Sequence, residues 1–261
     1  MLLAVDIGNS NTNLALFDNE GNKQHRWRLA TNHSDRADTL NAHVYTFFAM
    51  SGIPAEVVTN VAIACVVPVL LGRWIVALKR MFGVEPLVIG PNIDFGVKLD
   101  VLEPQAVGAD RIANCVEAIA CYGAPVIVVD FGTATNLDVI DHTGAFRGGP
   151  ILPGVQLSAQ ALFDRAAMLS NVPLALPSNV IGNTTESAVQ SGLVLGAAAQ
   201  IEGLVWRIQE ALAAEGDDIE PATVVATGGF SSLMEQATDL LDAVDKDLTL
   251  RGIYHAWKYV Q

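Results

Sequence analysis

The chain has 261 residues, of which 51% are hydrophobic and 16% are charged, a composition typical of a compact globular protein. Its 15 Lys and Arg against 28 Asp and Glu give a formal net charge of -13, which argues against a broad surface for nucleic acid or anionic lipid. The three cysteines lack metal-ligand or disulfide spacing, and we find no signal peptide or membrane-length apolar run, so we expect a cytoplasmic protein with no nucleic-acid and no membrane partner.

Hydrophobic patterning predicts strands and helices that alternate along the chain. In the first half we expect hairpin 2–21, strand 26–30, helix 38–51, strand 61–67, helix 70–82, strand 86–89 and helix 105–122. In the second half we expect hairpin 126–144, a loop or short strand at 148–154, helix 156–169, helix 185–214, strand 223–226 and a last helix at 231–243. The alternation predicts an α/β fold with mixed sheets flanked by helices. A Gly-Ala-Pro break at 123–125 predicts two domains, 1–122 and 123–261.

The N-terminal hairpin recurs 124 positions later in the chain. Both copies have an apolar run that ends in Asp-x-Gly, then a cluster of small polar residues and a second apolar run. The repeat pairs Asp6 with Asp130, Gly8 with Gly132, Asn9 with Thr133, and Asn11 with Thr135. A single repeat with so long a period predicts two related domains that face each other, each with a carboxylate-bearing loop.

The chemistry of these loops suits phosphate groups. A loop with Gly8 and small polar neighbours lets backbone N–H groups approach phosphate oxygens, while the carboxylate of Asp6 is a suitable ligand for Mg²⁺. One such loop alone fits an ordinary turn, and its recurrence favours the functional interpretation. Gly228 and Gly229, between a strand and a helix, fit either an ordinary turn or a ligand at a helix N-terminus.

Asp110 and Arg111 are adjacent at the start of a predicted helix. They fit a first-turn Asp favoured by the helix dipole and a surface Arg. They equally fit a general base and a clamp for a substrate carboxylate. Asp138, in the second hairpin, has an alternation that could direct it to the core side or to solvent.

Several ordered motifs together resemble the type III pantothenate kinase family. The motifs, in chain order, are DIGNSNTNLALFD, EPQAVGADRIAN, VVDFGTATNLDVI, GGPILPG, IGNTTESAVQSG and ATGG. The family belongs to the superfamily of actin, sugar kinases and Hsp70, so the resemblance implies two duplicated ribonuclease H-like domains. It covers nearly the whole chain.

The resemblance implies an ATP site with Mg²⁺ and a monovalent cation, K⁺ or ammonium. The first loop would bind the phosphates and Mg²⁺, with Mg²⁺ on Asp6, through Asp6, Ile7, Gly8, Asn9, Ser10, Asn11, Thr12 and Asn13. Thr133 and Thr135 would contact the phosphates from the opposite side, and Gly228 and Gly229 would contact the adenosine. Asp130 would hold the monovalent cation.

The same resemblance implies the pantothenate site. Asp110 would take the proton from the primary hydroxyl as that oxygen attacks the γ-phosphorus, and Arg111 would pair with the carboxylate. Gly108 and Ala109 would line the pocket, and Thr185, in preference to its neighbour Thr184, would contact the substrate. Many members place a Tyr before this motif, whereas residues 97–101 contain none. Members are typically homodimers in which the partner completes the pocket.

These motifs predict ATP-dependent phosphorylation of pantothenate to 4′-phosphopantothenate, the first step of coenzyme A biosynthesis. Two alternatives remain. A non-enzymatic regulatory protein on the same fold would not require the combination of Asp6, Asp110, Arg111 and Asp130. A kinase for another small alcohol is the second, and Arg111 predicts that such a substrate also bears a carboxylate.

Overall fold

The computed structural model describes residues 1–166, 169, 171–216 and 220–261. These residues form strands β1 to β10 at Leu2–Ile7, Asn11–Phe17, Lys23–Ala30, Asn60–Cys65, Leu87–Val88, Val126–Phe131, Ala134–Ile140, Ile151–Pro153, Thr223–Thr227 and Ala243–Val244. They form helices α1 to α8 at Ala37–Ser51, Pro68–Phe82, Ala109–Tyr122, Val155–Arg165, Thr185–Gln190, Gly196–Ala213, Ser231–Met234 and Leu248–Tyr259. Short 3₁₀ helices lie at Ala55–Val57 and Pro104–Ala106, and a π-helical turn, Ser191–Leu195, joins α5 to α6.

The chain divides into two compact units. Unit 1 consists of Met1–Val97, Leu102–Glu117 and Asp247–Gln261, and unit 2 of Lys98–Val101 and Ala118–Lys246. The break after Glu117 lies close to the predicted boundary at 122. The C-terminal segment differs from the prediction, because α8 packs against β1, β2 and β4 of unit 1.

Unit 1 is built on a five-stranded mixed sheet with strand order β3-β2-β1-β4-β5. β1 pairs antiparallel with β2 and parallel with β4. One face of the sheet forms a hydrophobic core with α1 and α2, whose members include Leu3, Val5, Ile7, Leu14, Leu16, Leu40, Val44, Phe48 and Trp74. Both helices end at a glycine in the left-handed conformation, Gly52 and Gly83, a position that glycine adopts without strain.

Unit 2 repeats this plan with strand order β10-β9-β6-β7-β8. The burial of β1 matches that of β6 residue by residue, and the burial of β2 matches that of β7. One face of the sheet packs in a core that includes Ile127, Val129, Phe131, Leu137, Val139, Val194, Ile201, Val205, Val224 and Met234. The sequence repeat therefore corresponds to two copies of one supersecondary unit.

The structure differs from the prediction at two places near the C-terminus. The segment predicted as helix 231–243 is helical only at Ser231–Met234 and continues through a turn into β10. It is also not the last helix, because α8 follows. The sequence of α8 contains Gly252 and β-branched or aromatic residues, which weaken its helix propensity, and its burial depends on tertiary packing.

Two other helices have different bounds. α4 ends at Arg165 rather than at residue 169, and Ala167 and Met168 of the predicted last turn lie outside the described residues. The predicted helix 185–214 is interrupted by the π-helical turn. By length and composition, Thr185–Ala213 is one helical stretch of the described chain that could cross a bilayer. Val194, Ile201 and Val205 of this stretch pack in the core of unit 2, so one side of it belongs to that core.

Candidate active site

The first loop joins β1 to β2 in unit 1. Asp6 lies one residue before the end of β1, and its Oδ2 accepts a hydrogen bond from Nδ2 of Asn13 at 3.1 Å. The backbone N–H of Gly8 donates to the carbonyl of Asn11 at 3.0 Å and closes the loop. Asn9 and Ser10 at its tip are exposed. The loop therefore presents polar groups at the carboxyl end of a parallel strand, where open α/β sheets bind ligands.

Two residues predicted for this loop are directed elsewhere. The side chain of Ile7 is fully buried in the core of unit 1. The hydroxyl of Thr12 is hydrogen-bonded to that of Thr31 at 2.9 Å, and Thr12 is only 1% exposed. Their side chains therefore support the loop and do not line its outer surface.

Asp110 approaches the same end of the sheet from the first turn of α3. Burial, with the charge of Asp110 as the second cause, raises the pKa of Asp6 to about 7. Burial also raises the pKa of Asp110, against a hydrogen bond from the backbone N–H of Arg111, at 2.8 Å, which lowers it. The two carboxylates are therefore close enough to repel each other.

Gly108 makes room for the carboxylate of Asp110. A Cβ at residue 108 would lie 2.5 Å from Oδ1 of Asp110, closer than unbonded carbon and oxygen atoms can approach. Ala109 is buried, while Arg111 is partly exposed at the helix surface. The structure thus places the predicted pocket residues of unit 1 around one carboxylate.

Sequence reasoning missed two neighbours of this site. Burial raises the pKa of the Cys65 thiol, and the charges of Asp6 and Asp110 add to the effect. Cys65 ends β4 directly beside the end of β1, which the parallel pairing of these strands would have indicated. Arg28 on β3 donates from Nε to Oδ1 of Asn11 at 3.0 Å, so a cation borders the first loop.

The second loop, between β6 and β7 in unit 2, corrects the predicted alignment of the repeat. Gly8 N–H bonds to the carbonyl of Asn11, whereas Gly132 N–H bonds to that of Ala134 at 3.1 Å. Asn11 therefore corresponds to Ala134 rather than to Thr135, because the first loop is one residue longer. Thr135 corresponds to Thr12.

This register separates the two threonines predicted for phosphate binding. Thr133 lies at the exposed tip of the second loop, whereas Thr135 is buried at 5% exposure. A Cβ at Gly154 would lie 2.4 Å from the carbonyl oxygen of Thr133. The GGPILPG motif thus packs directly beneath the second loop.

Asp130 and the Gly228 loop come together in unit 2. β6 and β9 are parallel neighbours in which Asp130 is level with Thr227, and a Cβ at Gly228 would lie 2.4 Å from Oδ1 of Asp130. Gly228 has a φ of +89°, a conformation that suits glycine. Next to Asp130 across the hairpin, Oδ1 of Asn136 is buried without a hydrogen-bond partner in the described part of the chain.

The two candidate threonines at the start of α5 have different surroundings. Thr184 is the N-cap, and its hydroxyl accepts a hydrogen bond from the backbone N–H of Ser187 at 3.1 Å. The Thr184 backbone N–H in turn donates to the Ser187 hydroxyl at 3.0 Å, which completes a capping box. Thr185 begins the helix with an exposed side chain. The cap therefore occupies Thr184 and favours Thr185 for ligand contact.

Asp138 lies on β7 and is fully buried. The sequence pattern left its direction open, and the structure places it inside unit 2. The face of β7 that carries it also carries Asn136, while Leu137 and Val139 face the core.

Comparison with known proteins identifies the family. The model of the type III pantothenate kinase family matches residues 2–207. A type III pantothenate kinase of Rhodospirillum rubrum is 41% identical over 254 residues, covering 97% of this chain and 96% of that protein. The chain belongs to the type III pantothenate kinase family. A family member from Rhizorhabdus wittichii is 42% identical over 256 residues with the same coverage, 97% and 96%, so the predicted family is confirmed and the chain is a kinase.

Solved structures confirm the fold class of this pantothenate kinase family member. A Campylobacter jejuni protein, described as a conserved putative Baf family transcriptional activator, has a TM-score of 0.61 at 21% identity, covering 98% of this chain and 97% of that one. A putative 2-dehydro-3-deoxygalactonokinase from Sinorhizobium meliloti has a TM-score of 0.60 at 14% identity, covering 100% and 99%. At these identities the likeness concerns the fold alone, with two actin-like ATPase domains.

Proposed function

We propose that the protein transfers the γ-phosphoryl group of ATP to the primary hydroxyl of pantothenate, forming 4′-phosphopantothenate in coenzyme A biosynthesis. Family membership supports this reaction. The observation that carries the residue roles is the effect of the Asp110 charge on the pKa of Asp6. Because charge interactions require proximity, the proposed base and the proposed phosphate loop share one end of one sheet.

Asp110 is the general base of the proposed reaction. A carboxylate with a raised pKa holds a proton more strongly than an exposed Asp, which suits it to accept the hydroxyl proton as the oxygen attacks phosphorus. Gly108 leaves space beside the carboxylate. Arg111, the next residue, pairs with the pantothenate carboxylate through its planar guanidinium group, and Thr185 contacts the substrate from α5.

Asp6 would hold Mg²⁺, directly or through water, when ATP is bound. Burial and the charge of Asp110 raise the pKa of Asp6 to about 7, so a bound cation would favour the ionised form of this carboxyl. Among the described residues no group of three His, Cys, Asp or Glu side chains could hold a metal ion, which fits a cation that takes most of its ligands from phosphates and water. When bound, Mg²⁺ neutralises charge on the phosphates.

The second loop and the Gly228 loop of unit 2 have nucleotide roles of their own in the proposal. Thr133 contacts the phosphates and Gly228 with Gly229 contacts the adenosine. Asp130 would hold the monovalent cation, K⁺ or ammonium, and the buried side-chain Oδ1 of Asn136, which lies opposite Asp130 in the hairpin, would supply a second oxygen ligand. The charge of the cation offsets part of the repulsion between ATP and a chain of net charge -13.

We also propose a cytoplasmic homodimer with the substrate pocket at its interface. Large apolar side chains of unit 2 are exposed, including Leu157 at 49%, Trp206 at 58% and Ile181 at 78%. Exposed apolar surface of this kind is characteristic of protein interfaces. These residues therefore support an interface on unit 2.

A coupled assay of ADP release tests the reaction and its base. Asp110→Asn is expected to lower kcat by about 10²- to 10⁴-fold, the usual contribution of a general base. The Kd of ATP, measured by calorimetry, should change by less than about threefold, because the neutral isostere removes only the proton acceptor. A kcat within about twofold of the parent would contradict the assignment of Asp110.

A substrate panel separates pantothenate from the alternatives. Panthenol, which has an alcohol in place of the carboxylate, should show a KM at least about tenfold above that of pantothenate, since an Arg–carboxylate hydrogen bond is lost. Turnover of a sugar in preference to pantothenate would favour another kinase activity. Absence of turnover with every alcohol would favour the regulatory protein.

A further inference from the structure

One face of α3 carries Asp110 at one end and a buried acidic residue at the other. Ala113, Asn114 and Glu117 follow Asp110 by three, four and seven positions. These spacings place all four residues on the same side of an α-helix. Seven residues correspond to about 10 Å along the helix axis, so Glu117 lies two turns from the proposed base.

This face contacts α8 at each of the three later positions. A Cβ at Gly252 would lie 1.9 Å from the carbonyl oxygen of Ala113, so the helices touch at that point. Thr249 donates from its hydroxyl to Oδ1 of Asn114 at 2.8 Å. The contacts are 134 or more positions apart along the chain and all lie within unit 1.

Glu117 has the strongest of these contacts. Its side chain is fully buried, and Nε of Arg251 donates to its Oε1 at 2.6 Å. Nδ1 of His255 lies 2.5 Å from its Oε2. A buried carboxylate is costly unless it is paired and hydrogen-bonded, and removal of one partner leaves the other buried without compensation.

α8 is itself attached to the sheet that carries the first loop. The ring of Tyr254 is 5.2 Å from that of Phe17 on β2, and its hydroxyl donates to the carbonyl of Asn19 at 3.2 Å. Asp247, the N-cap of α8, forms ion pairs with Lys23 and Arg26 on β3. α8 therefore connects β2 and β3 to the helix that carries Asp110.

We propose that α8 positions Asp110 relative to the Asp6 loop, and that Glu117 is the positioning residue on α3. Rotation or sliding of α3 would break the Glu117 contacts and the close Ala113–Gly252 approach together. Reactions of oriented groups lose about 10²-fold in rate for a displacement of about 1 Å. This inference rests on the proposed role of Asp110 as the base.

The test compares Glu117→Gln with Asp38→Asn in the full-length protein. Gln keeps the shape of Glu117 but removes the charge that pairs with Arg251, whereas Asp38→Asn removes an exposed ion pair with Arg80 that involves neither α3 nor α8. At a temperature where circular dichroism shows both variants folded, we expect Glu117→Gln to lower kcat by about 10- to 100-fold. The KM of ATP should change by less than about threefold, and Asp38→Asn should keep kcat within about twofold.

Two further measurements keep the test decisive. Arg251→Lys retains a cation beside Glu117 and should retain more kcat than Arg251→Met, a rescue that general loss of stability would not produce. Hydrogen exchange of the first turn of α3, where the Ile112 N–H bonds to the Gly108 carbonyl, should accelerate in Glu117→Gln and not in Asp38→Asn. If Asp110→Asn retains activity, the assignment of Asp110 as the general base fails. Hydrogen exchange of α3 is then the measurement that tests whether Glu117 positions this helix. Exchange and kcat of Glu117→Gln both within twofold of the parent would overturn the proposal.

Discussion

Replacement of Asp6 by Asn should stabilise the protein in the absence of nucleotide and divalent cations. The pKa of Asp6 is raised from 3.8 to about 7 by burial and by the charge of Asp110. In the unfolded chain the carboxyl ionises near 3.8, so between about pH 4 and pH 7 the folded state holds a proton that the unfolded state has lost. The free energy of unfolding therefore falls as pH rises through this window.

The magnitude follows from the size of the shift. A difference of about 3 pKa units, each worth about 1.4 kcal/mol, amounts to up to about 4 kcal/mol above pH 7. Asn cannot ionise and can still interact with Asn13, so the variant avoids this cost. We expect it to match the parent near pH 4 and to exceed its free energy of unfolding by about 2–4 kcal/mol at pH 8, while its kinase activity falls.

Urea unfolding at pH 4.5, 6 and 8 measures the difference between Asp6→Asn and the parent. Asp18→Asn on the exposed turn after β2 is a control of opposite sign, because hydrogen bonds, first from the backbone N–H of Asn22, lower the pKa of Asp18. Its stabilising effect is present above the ordinary pKa and is lost as pH falls, so the control should destabilise at pH 8 and lose its effect in acid. An Asp6→Asn difference that is the same at all three pH values, or destabilising at pH 8, would refute the reasoning.

Two further predictions concern glycines. Gly252→Ala would place a methyl group 1.9 Å from the Ala113 carbonyl oxygen and should lower the free energy of unfolding by about 1–3 kcal/mol in urea titrations. Gly203→Ala is the control within a helix, because its methyl group meets nothing within 4 Å, and it should leave the free energy of unfolding unchanged or raise it. If both variants changed the free energy of unfolding equally, the close contact between α3 and α8 would be contradicted. Gly228→Ala would force a methyl group against Asp130 at a φ of +89°, so we expect calorimetry to show ATP binding weakened at least about tenfold. An unchanged Kd of ATP would contradict the proposed contact between this loop and the nucleotide.

Much of the candidate site could be predicted because its signals are local. The Asp-x-Gly pattern and the alternating apolar residues around Asp6 and Asp130 recur in the sequence, and the matching burial of the two hairpins follows from them. The exact register could not be predicted, because a loop one residue longer shifts Asn11 away from Thr135. Pairing across strands, which determines that shift, is not encoded at a fixed spacing.

Residues that meet through distant segments were harder to predict. Cys65 reaches the two carboxylates only because β4 pairs in parallel with β1. The role of α8 escaped prediction because its contacts with Glu117 join residues 134 and 138 positions apart. Helical periodicity describes one face of one helix and carries no information about its partner.

The repeated loops, the α/β class and the family follow from the sequence, because each depends on residue types in a fixed local order. Three features become visible only in the folded chain: Asp6 and Asp110 share one end of a sheet, Thr12 and Thr135 are buried, and the chain returns to unit 1 at Asp247. They depend on distances in space between segments that are far apart in the sequence. Two carboxylates 104 positions apart in the sequence acquire their proposed chemistry only when the fold brings them together.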